Sequence, residues 1–212
     1  MLIRSLLLAA FLVGPAAMAQ AQSLEVTGGL ALTSNYVWRG ATLSDDKPAF
    51  QAYVEAEASG AYAGLWISTM DDGTDTVEAD IYLGYRNELA NGFNYDLGYI
   101  RYIFNNSGNC CGEFALSVGY ALSDTANLRA KLAYDPSFKI NILEVAGDYA
   151  LSDAFGLSAT LGKVQSGSAY GDFGVTYALS EKTAFDLRYH DANDDKGRLV
   201  LGLMFDTTIL SR

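Results

Sequence analysis

The chain is 212 residues long, carries a formal net charge of −11, and is half apolar. Its length suits a single domain, and its acidic balance excludes nucleic acid as a partner. Past the N-terminus no apolar run reaches the roughly 20 residues of a membrane helix. Even so, Gly and Tyr are abundant (21 and 14), Pro is scarce (3), and the apolar residues are scattered rather than blocked. Transmembrane β-barrels have this composition, because each strand carries only a weak signal.

Residues 1–21 read as a secretory signal peptide. Arg4 supplies the positive start, Leu6 to Val13 the apolar run, and Ala17-Met18-Ala19 or Ala19-Gln20-Ala21 the cleavage pattern. The alternative, a membrane anchor, needs a longer run. No Cys follows the run, which argues against a lipoprotein.

From Leu24 onward the chain alternates. In Leu24–Arg39 one face carries Leu24, Val26, Leu30, Leu32, Tyr36 and Trp38, and the other Glu25, Thr27, Thr33, Asn35 and Arg39. In 50–59, Phe50, Val54 and three alanines oppose Gln51, Tyr53, Glu55, Glu57 and Ser59. In 77–86, Val77, Ile81, Leu83 and Tyr85 oppose Glu78, Asp80, Tyr82 and Arg86. A period of two with one apolar face predicts strands greased on one side. Twelve such segments begin near Leu24, Ala49, Tyr62, Val77, Phe93, Glu113, Leu128, Ile140, Gly156, Tyr170, Ala184 and Arg198. The number is even, as bacterial single-chain barrels require. The expected fold is all-β, a transmembrane antiparallel up-and-down β-barrel of about 12 strands. It spans residues 22–205, and residues 206–212 form a short C-terminal tail after Phe205.

The phrase Tyr-Ala-Leu-Ser opens at Tyr120, Tyr149 and Tyr177, at intervals of 29 and 28 residues. Each interval fits one hairpin with its connections. These phrases, Gly60-Ala61 and residues 87–92 read as short periplasmic turns. The longer or more polar connections (40–48, 71–76, 105–112, 136–139, 165–169 and 191–196) read as outer loops. Tyr85, Tyr120, Tyr149 and Tyr177 fall on the apolar face beside the turns, as an aromatic girdle at the lipid boundary would. The alternative is a β-sandwich whose tyrosines cap a core.

The stretch from Ser34 to Gly98 resembles a proteobacterial family, the TorF-type porins. Ser34-Asn35-Tyr36-Val37-Trp38-Arg39-Gly40 matches its Ser-Asn-Tyr-x-aromatic-Arg-Gly signature. Ser44, Pro48-Ala49-Phe50-Gln51, Tyr62-Ala63-Gly64-Leu65-Trp66-Ile67-Ser68, Glu78-Ala79-Asp80-Ile81-Tyr82-Leu83-Gly84-Tyr85 and Tyr95-Asp96-Leu97-Gly98 follow in the family's order. The resemblance covers about the first half of the barrel and implies an outer-membrane barrel with the character of a pore.

Lumen candidates follow from the polar face. The first half offers Arg39, Glu55, Glu57, Trp66, Glu78, Asp80, Arg86 and Asp96, and the second Arg129, Lys131, Arg188 and Arg198 with several acids. Two readings stand side by side. One is a transverse charge field that selects small polar solutes, and the other a set of ion pairs that fill the barrel. Arg39 is placed inward at the top of the first strand, within reach of Glu55, Glu57, Glu78 or Asp80, as a constriction or as a clamp on the first outer loop. Trp38 reads as outward-facing, and Trp66 as a lumen plug or stacking platform.

The Asp-rich loops match no EF-hand, since Lys196 and Gly202 stand where that motif needs Gly and a carboxylate. They read as solvated, with divalent bridging to lipopolysaccharide as the alternative. No cofactor is expected. Cys110-Cys111 lies in the third outer loop, as free thiols or a vicinal bridge. A lipid hydrolase would need a partnered His. The single His190 adjoins Asp191, but no Ser partner is fixed by the sequence. The expected function is an outer-membrane porin-like channel for small polar or charged solutes. The alternatives are a non-conducting structural or adhesive barrel and an outer-membrane lipid hydrolase. The expected partners are outer-membrane lipid, lipopolysaccharide, small solutes and the barrel-insertion machinery.

Overall fold

The computed structural model describes residues 23–212, so the expected signal peptide lies outside the described residues. Fourteen strands follow in order: β1 (Leu24–Thr33), β2 (Val37–Trp38), β3 (Ala41–Thr42), β4 (Ala49–Ala58), β5 (Ala61–Thr69), β6 (Val77–Glu88) and β7 (Phe93–Phe104), then β8 (Gly108–Ser123), β9 (Ala126–Asp135), β10 (Ile140–Ala150), β11 (Phe155–Val164), β12 (Ala169–Ala178), β13 (Thr183–Ala192) and β14 (Asp195–Ser211). Twelve of them close a barrel in the order β1-β14-β13-β12-β11-β10-β9-β8-β7-β6-β5-β4, and every pair is antiparallel. Closure satisfies the backbone of both terminal strands and leaves no open edge. The two-residue strands β2 and β3 pair separately, as a small hairpin.

Alternation decides which side each residue faces. Leu161, Leu199 and Leu201 project outward at 72, 67 and 52% exposure, while Glu78, Asp80 and Arg198 point inward at 1, 5 and 9%. A water-soluble protein rarely exposes a contiguous apolar patch beyond a few hundred Å². Here every barrel strand carries exposed large apolar side chains, and the closed sheet places them side by side. The interior is polar and the exterior apolar, as a barrel solvated by lipid requires.

Turn chemistry fixes the register at one end. Ser59 and Gly60 take φ of 53° and 84° between the paired Ala58 and Ala61. That is the two-residue type I′ turn, whose twist matches the flanking strands. The three Tyr-Ala-Leu-Ser connections lie at the same end. The loop 34–48 and the connections after β5, β7, β9, β11 and β13 lie at the other.

Three expectations are corrected. Residues 206–211 are no tail: they continue β14, pairing Asp206 with Gly29, Thr207 with Gly28 and Ser211 with Glu25. The first alternating segment does not run to Arg39 but stops at Thr33, and the chain then turns into the barrel. Cys110 and Cys111 belong to β8 rather than to a loop, and they are joined by a disulfide. Tyr102 pairs with Cys111 and Ile103 with Asn109, which leaves Cys110 as the extra residue of a β-bulge.

Candidate functional site

The candidate site is the lumen, and its shape is set by the loop between β1 and β4. Ser34 is tied to β14: its N–H donates to the Leu201 carbonyl at 2.8 Å, and its Oγ accepts from the Leu201 N–H at 2.9 Å. Asn35, buried, then organises the fold-back. Its Oδ1 accepts from Thr42 Oγ1 at 2.7 Å and Ser44 Oγ at 3.0 Å, and its Nδ2 donates to Asp46 at 2.8 Å. The Leu43 N–H donates to the Tyr36 carbonyl at 2.7 Å, closing the β2–β3 hairpin.

The hairpin tip is Arg39-Gly40. Arg39 has a φ of 51° and Gly40 of 85°, the left-handed pair of a tight turn. A Cβ on Gly40 would stand 2.5 Å from the Ala192 Cβ, so only Gly seats the tip against β13. Arg39 reaches the far wall. Its Nη1 and Nη2 donate to both carboxylate oxygens of Glu113 on β8 at 2.7 and 2.8 Å, and its Nε lies 3.6 Å from Glu144 on β10. In the ring order, β8–β10 is the arc opposite β1. The loop therefore crosses the lumen. The acids expected for Arg39 (Glu55, Glu57, Glu78, Asp80) are not its partners, because the loop carries it past its own side of the barrel.

A second tie holds the loop's return. Asp46 accepts from Lys196 Nζ and from Arg198 Nε, each at 2.6 Å. Lys196 and Arg198 together hold the Asp46 carboxyl down to about 2. Lys47 donates to Asp71 at 2.6 Å, which lowers that carboxyl as well. Trp38, expected to face outward, lies inside: its ring is 5.2 Å from that of Tyr102. The fold-back after Thr33 resets the phase that a continuous strand would have had.

The remaining lumen residues pair mostly with near neighbours. Arg86 binds Glu55 and, at 3.1 Å, Glu57. Lys131 meets Glu144 at 3.0 Å. Arg188 is held by Asp172, Asp186 and Ser158, and it lies over Gly174, where a Cβ would come within 2.5 Å of its Cζ. Arg198 is held by Asp46 and Asp195. Most of these lumen charges thus form local pairs. Asp96 accepts from the Tyr62 hydroxyl at 2.6 Å. Arg129 has no ion pair among the described residues. Trp66 faces inward with its ring 5.5 Å from Tyr36. Tyr85, Tyr120, Tyr149 and Tyr177 stand on the outer face at 39–48% exposure, Tyr120 and Tyr177 stacked on Phe93 and Phe155.

Three cavities run in series below the loop, along the arc from β4 to β10. The first, about 410 Å³, lies among Tyr36, Trp38, Trp66, Asp80 and Tyr102. The second, about 330 Å³, shares Tyr82, Glu113 and Lys131 with it. The third, about 460 Å³, shares Asp96, Ser117 and Arg129 with the second and reaches Glu57 and Arg86 near the short turns. Sequence reasoning missed Glu113 and Glu144 as partners of Arg39, and also missed Tyr102. Their inward phase was legible, but a contact 74 residues away in the chain was not.

Comparison with solved structures gives the same architecture. The KdgM porin in complex with disordered oligogalacturonate superposes with a TM-score of 0.65 at 9% identity, covering 85% of this chain and 98% of that one. The NanC porin gives 0.56 at 12%, covering 88 and 100%. The outer membrane phospholipase A from Escherichia coli gives 0.53 at 12%, covering 84 and 89%. At these identities the likeness is one of fold, and the fold is that of outer-membrane porins. No curated protein matches the sequence. Residues 17–190 match the model of a bacterial protein family of unknown function, Gcw_chp, and the chain belongs to that family.

Proposed function

We propose that this protein is an outer-membrane porin-like channel for small polar or charged solutes, narrowed by the loop 34–48. The observation that carries this reading is the series of cavities below the loop, each with charged side chains in its wall and each sharing wall residues with the next. A barrel filled only by ion pairs has no use for such a path. Arg39 is the constriction residue. Trp66 and Asp80 line the path beneath it, followed by Asp96, Arg129 and Lys131 and then Glu57 and Arg86. Glu78 and Glu55 stand beside them on β6 and β4, while Arg188 and Arg198 brace the opposite wall. The resemblance of Ser34–Gly98 to TorF-type porins supports the same reading.

The chain is exported through a cleaved signal peptide to the outer membrane of a Gram-negative cell and inserted there by the barrel-assembly machinery. Its Tyr-Ala-Leu-Ser turns face the periplasm, its girdle tyrosines the lipid, and its Asp-rich loops the lipopolysaccharide side. This reading includes no catalytic step, since the sequence fixes no Ser partner for the single His190.

The loop itself favours one second reading, a closed structural barrel, because it spans the lumen. Purified protein in a planar bilayer decides between them. Discrete conductance steps are expected, and a folded but silent barrel removes the channel reading.

A further inference from the structure

Glu78 and Asp80 lie two residues apart on β6, and both face the lumen at 1 and 5% exposure. Neither has an ion-pair partner among the described residues. Glu78 accepts one hydrogen bond, from the Tyr36 hydroxyl at 2.9 Å. Asp80 Oδ1 is buried and has no hydrogen-bond partner among the described residues. Strand register places Trp66 on one side of Asp80 and Tyr102 on the other. The loop then adds a second ring to each, with Tyr36 5.5 Å from Trp66 and Trp38 5.2 Å from Tyr102. The four rings and Asp80 line one cavity of about 410 Å³.

The other charges at this cavity are committed elsewhere. Glu113 is matched by Arg39, and Lys131 by Glu144. Arg39 lies with its Cζ 4.4 Å from the Trp38 ring centroid, so one ring of the cage already has a cation on its face. What remains uncompensated is carboxylate, with four aromatic faces around it.

We propose that this cage binds a small organic cation of the alkylated ammonium class. The proposal rests on the reading of the lumen as a solute path, and it names the solute. A buried carboxylate oxygen without a donor is costly, and a cation seated beside it removes that cost. Aromatic faces carry negative potential and attract ammonium groups, most strongly where water is excluded. Alkyl substituents on the nitrogen bury against the same rings. A calcium or magnesium ion would need about six oxygen ligands, and rings form most of these walls. A neutral sugar would stack on the rings but leave the carboxylate pair uncompensated. The volume lies within the roughly 300–1,000 Å³ of small-molecule sites.

The chain has two tryptophans, and both are in the cage. Tryptophan emission from the detergent-folded full-length protein therefore reports on this site alone. The probes are tetramethylammonium, choline and 3,3-dimethylbutan-1-ol (the uncharged isostere of choline), at constant ionic strength. The two cations are expected to change the emission saturably, with the alcohol at least about tenfold weaker. Asp80→Asn is expected to weaken cation binding about tenfold or more, and Asp153→Asn, in an exposed turn, to leave it unchanged. Equal binding of the alcohol, or of a neutral sugar, overturns the proposal, as does the absence of a saturable response in the parent. The comparison of cation with alcohol needs no variant, so a misfolded Asp80→Asn protein does not rescue the idea. Saturable binding by a barrel that is silent in bilayers supports the cage and removes the channel. A conducting barrel without a response removes the cage and leaves the channel.

Discussion

Arg39 does at one position what the loop does as a whole. Its side chain and that of Glu113 are 14 and 6% exposed, and both guanidinium nitrogens at the tip are committed to both carboxylate oxygens. Removing one partner of such a buried pair costs about 3–5 kcal/mol, because the other charge is left behind. The barrel wall, built from ladder hydrogen bonds, does not depend on this pair; the loop does. Arg39→Ala is therefore expected to release the loop tip while the barrel stays folded. Single-channel recording should show a larger conductance, with unchanged heat-modifiable migration in gels. Arg39→Lys keeps the charge but not the two-pronged geometry and should fall between. A smaller or equal conductance in Arg39→Ala argues that the loop is not the constriction. The inward direction of Arg39 was legible from the sequence, but its partners were not. Glu113 and Glu144 become neighbours only once the loop has crossed the lumen.

Two elements carry most of what the sequence did not disclose. The first is the loop 34–48. Its residues 34–39 prolong the alternation of β1 without a Gly or Pro to mark a turn, so the pattern reads as one long strand. The break is made by side chains instead: Ser34 held by Leu201, and Asn35 gathering Thr42, Ser44 and Asp46. Such a break is visible only as a signature, and the Ser-Asn-Tyr-x-aromatic-Arg-Gly run is the sequence of this fold-back. The loop's return is held by Asp46, whose carboxyl is brought down to about 2 by Lys196 and Arg198. A depressed carboxylate contributes its stabilisation above its unfolded value, near 4, and loses it as pH falls through the folded one. Conductance governed by this tie should be flat from neutral pH to about 4 and rise towards about 2. Asp46→Asn should lack that rise. Other carboxylates titrate in both proteins, so the difference between the two isolates Asp46; identical profiles argue against the clasp.

The second element is the end of β14. After Phe205 the polar run Asp206-Thr207-Thr208 interrupts the apolar face, and so reads as a tail. In the barrel those residues pair with Gly29, Gly28 and Thr27, across a register shift at Val26/Thr27 that absorbs the irregular phase. Asp206 also accepts from the Tyr53 hydroxyl at 2.8 Å, tying β14 to β4. Deleting residues 206–212 should therefore open the seam along the first half of β1 and expose an unpaired edge. Loss of the heat-modifiable folded form in gels is the expected result. A truncated protein that refolds as well as the parent would mean that these pairs are dispensable. The other strand starts were legible within a few residues, because a period of two on a lipid-facing wall leaves no freedom of phase; the exception is β8, which begins at Gly108 rather than near Glu113.

At the scale of the molecule the proposed channel raises the question of which ions its lumen favours. Its bases are nearly all spent. Arg39, Arg86, Lys131, Arg188 and Arg198 each hold at least one carboxylate, and of the lumen bases named here only Arg129 has no ion pair among the described residues. On the acid side, Asp80 and Asp96 line the cavities and Glu78 lies buried beside Asp80, with hydroxyl partners or none. Local pairs cancel over a few ångströms, so the field along the path is set by what is left over, and the remainder is negative. Carboxylate-lined pores favour cations. In a potassium chloride gradient the reversal potential should have the sign of cation preference, by a factor on the order of a few. Arg129 lies where the second and third cavities meet, so Arg129→Glu removes the one positive remainder from the path. It should shift the reversal potential further towards the cation limit. Lys182→Glu changes the same charge in a short turn outside the lumen and should shift it far less. Anion preference in the parent, or equal shifts in the two variants, would mean that charge outside these cavities controls permeation.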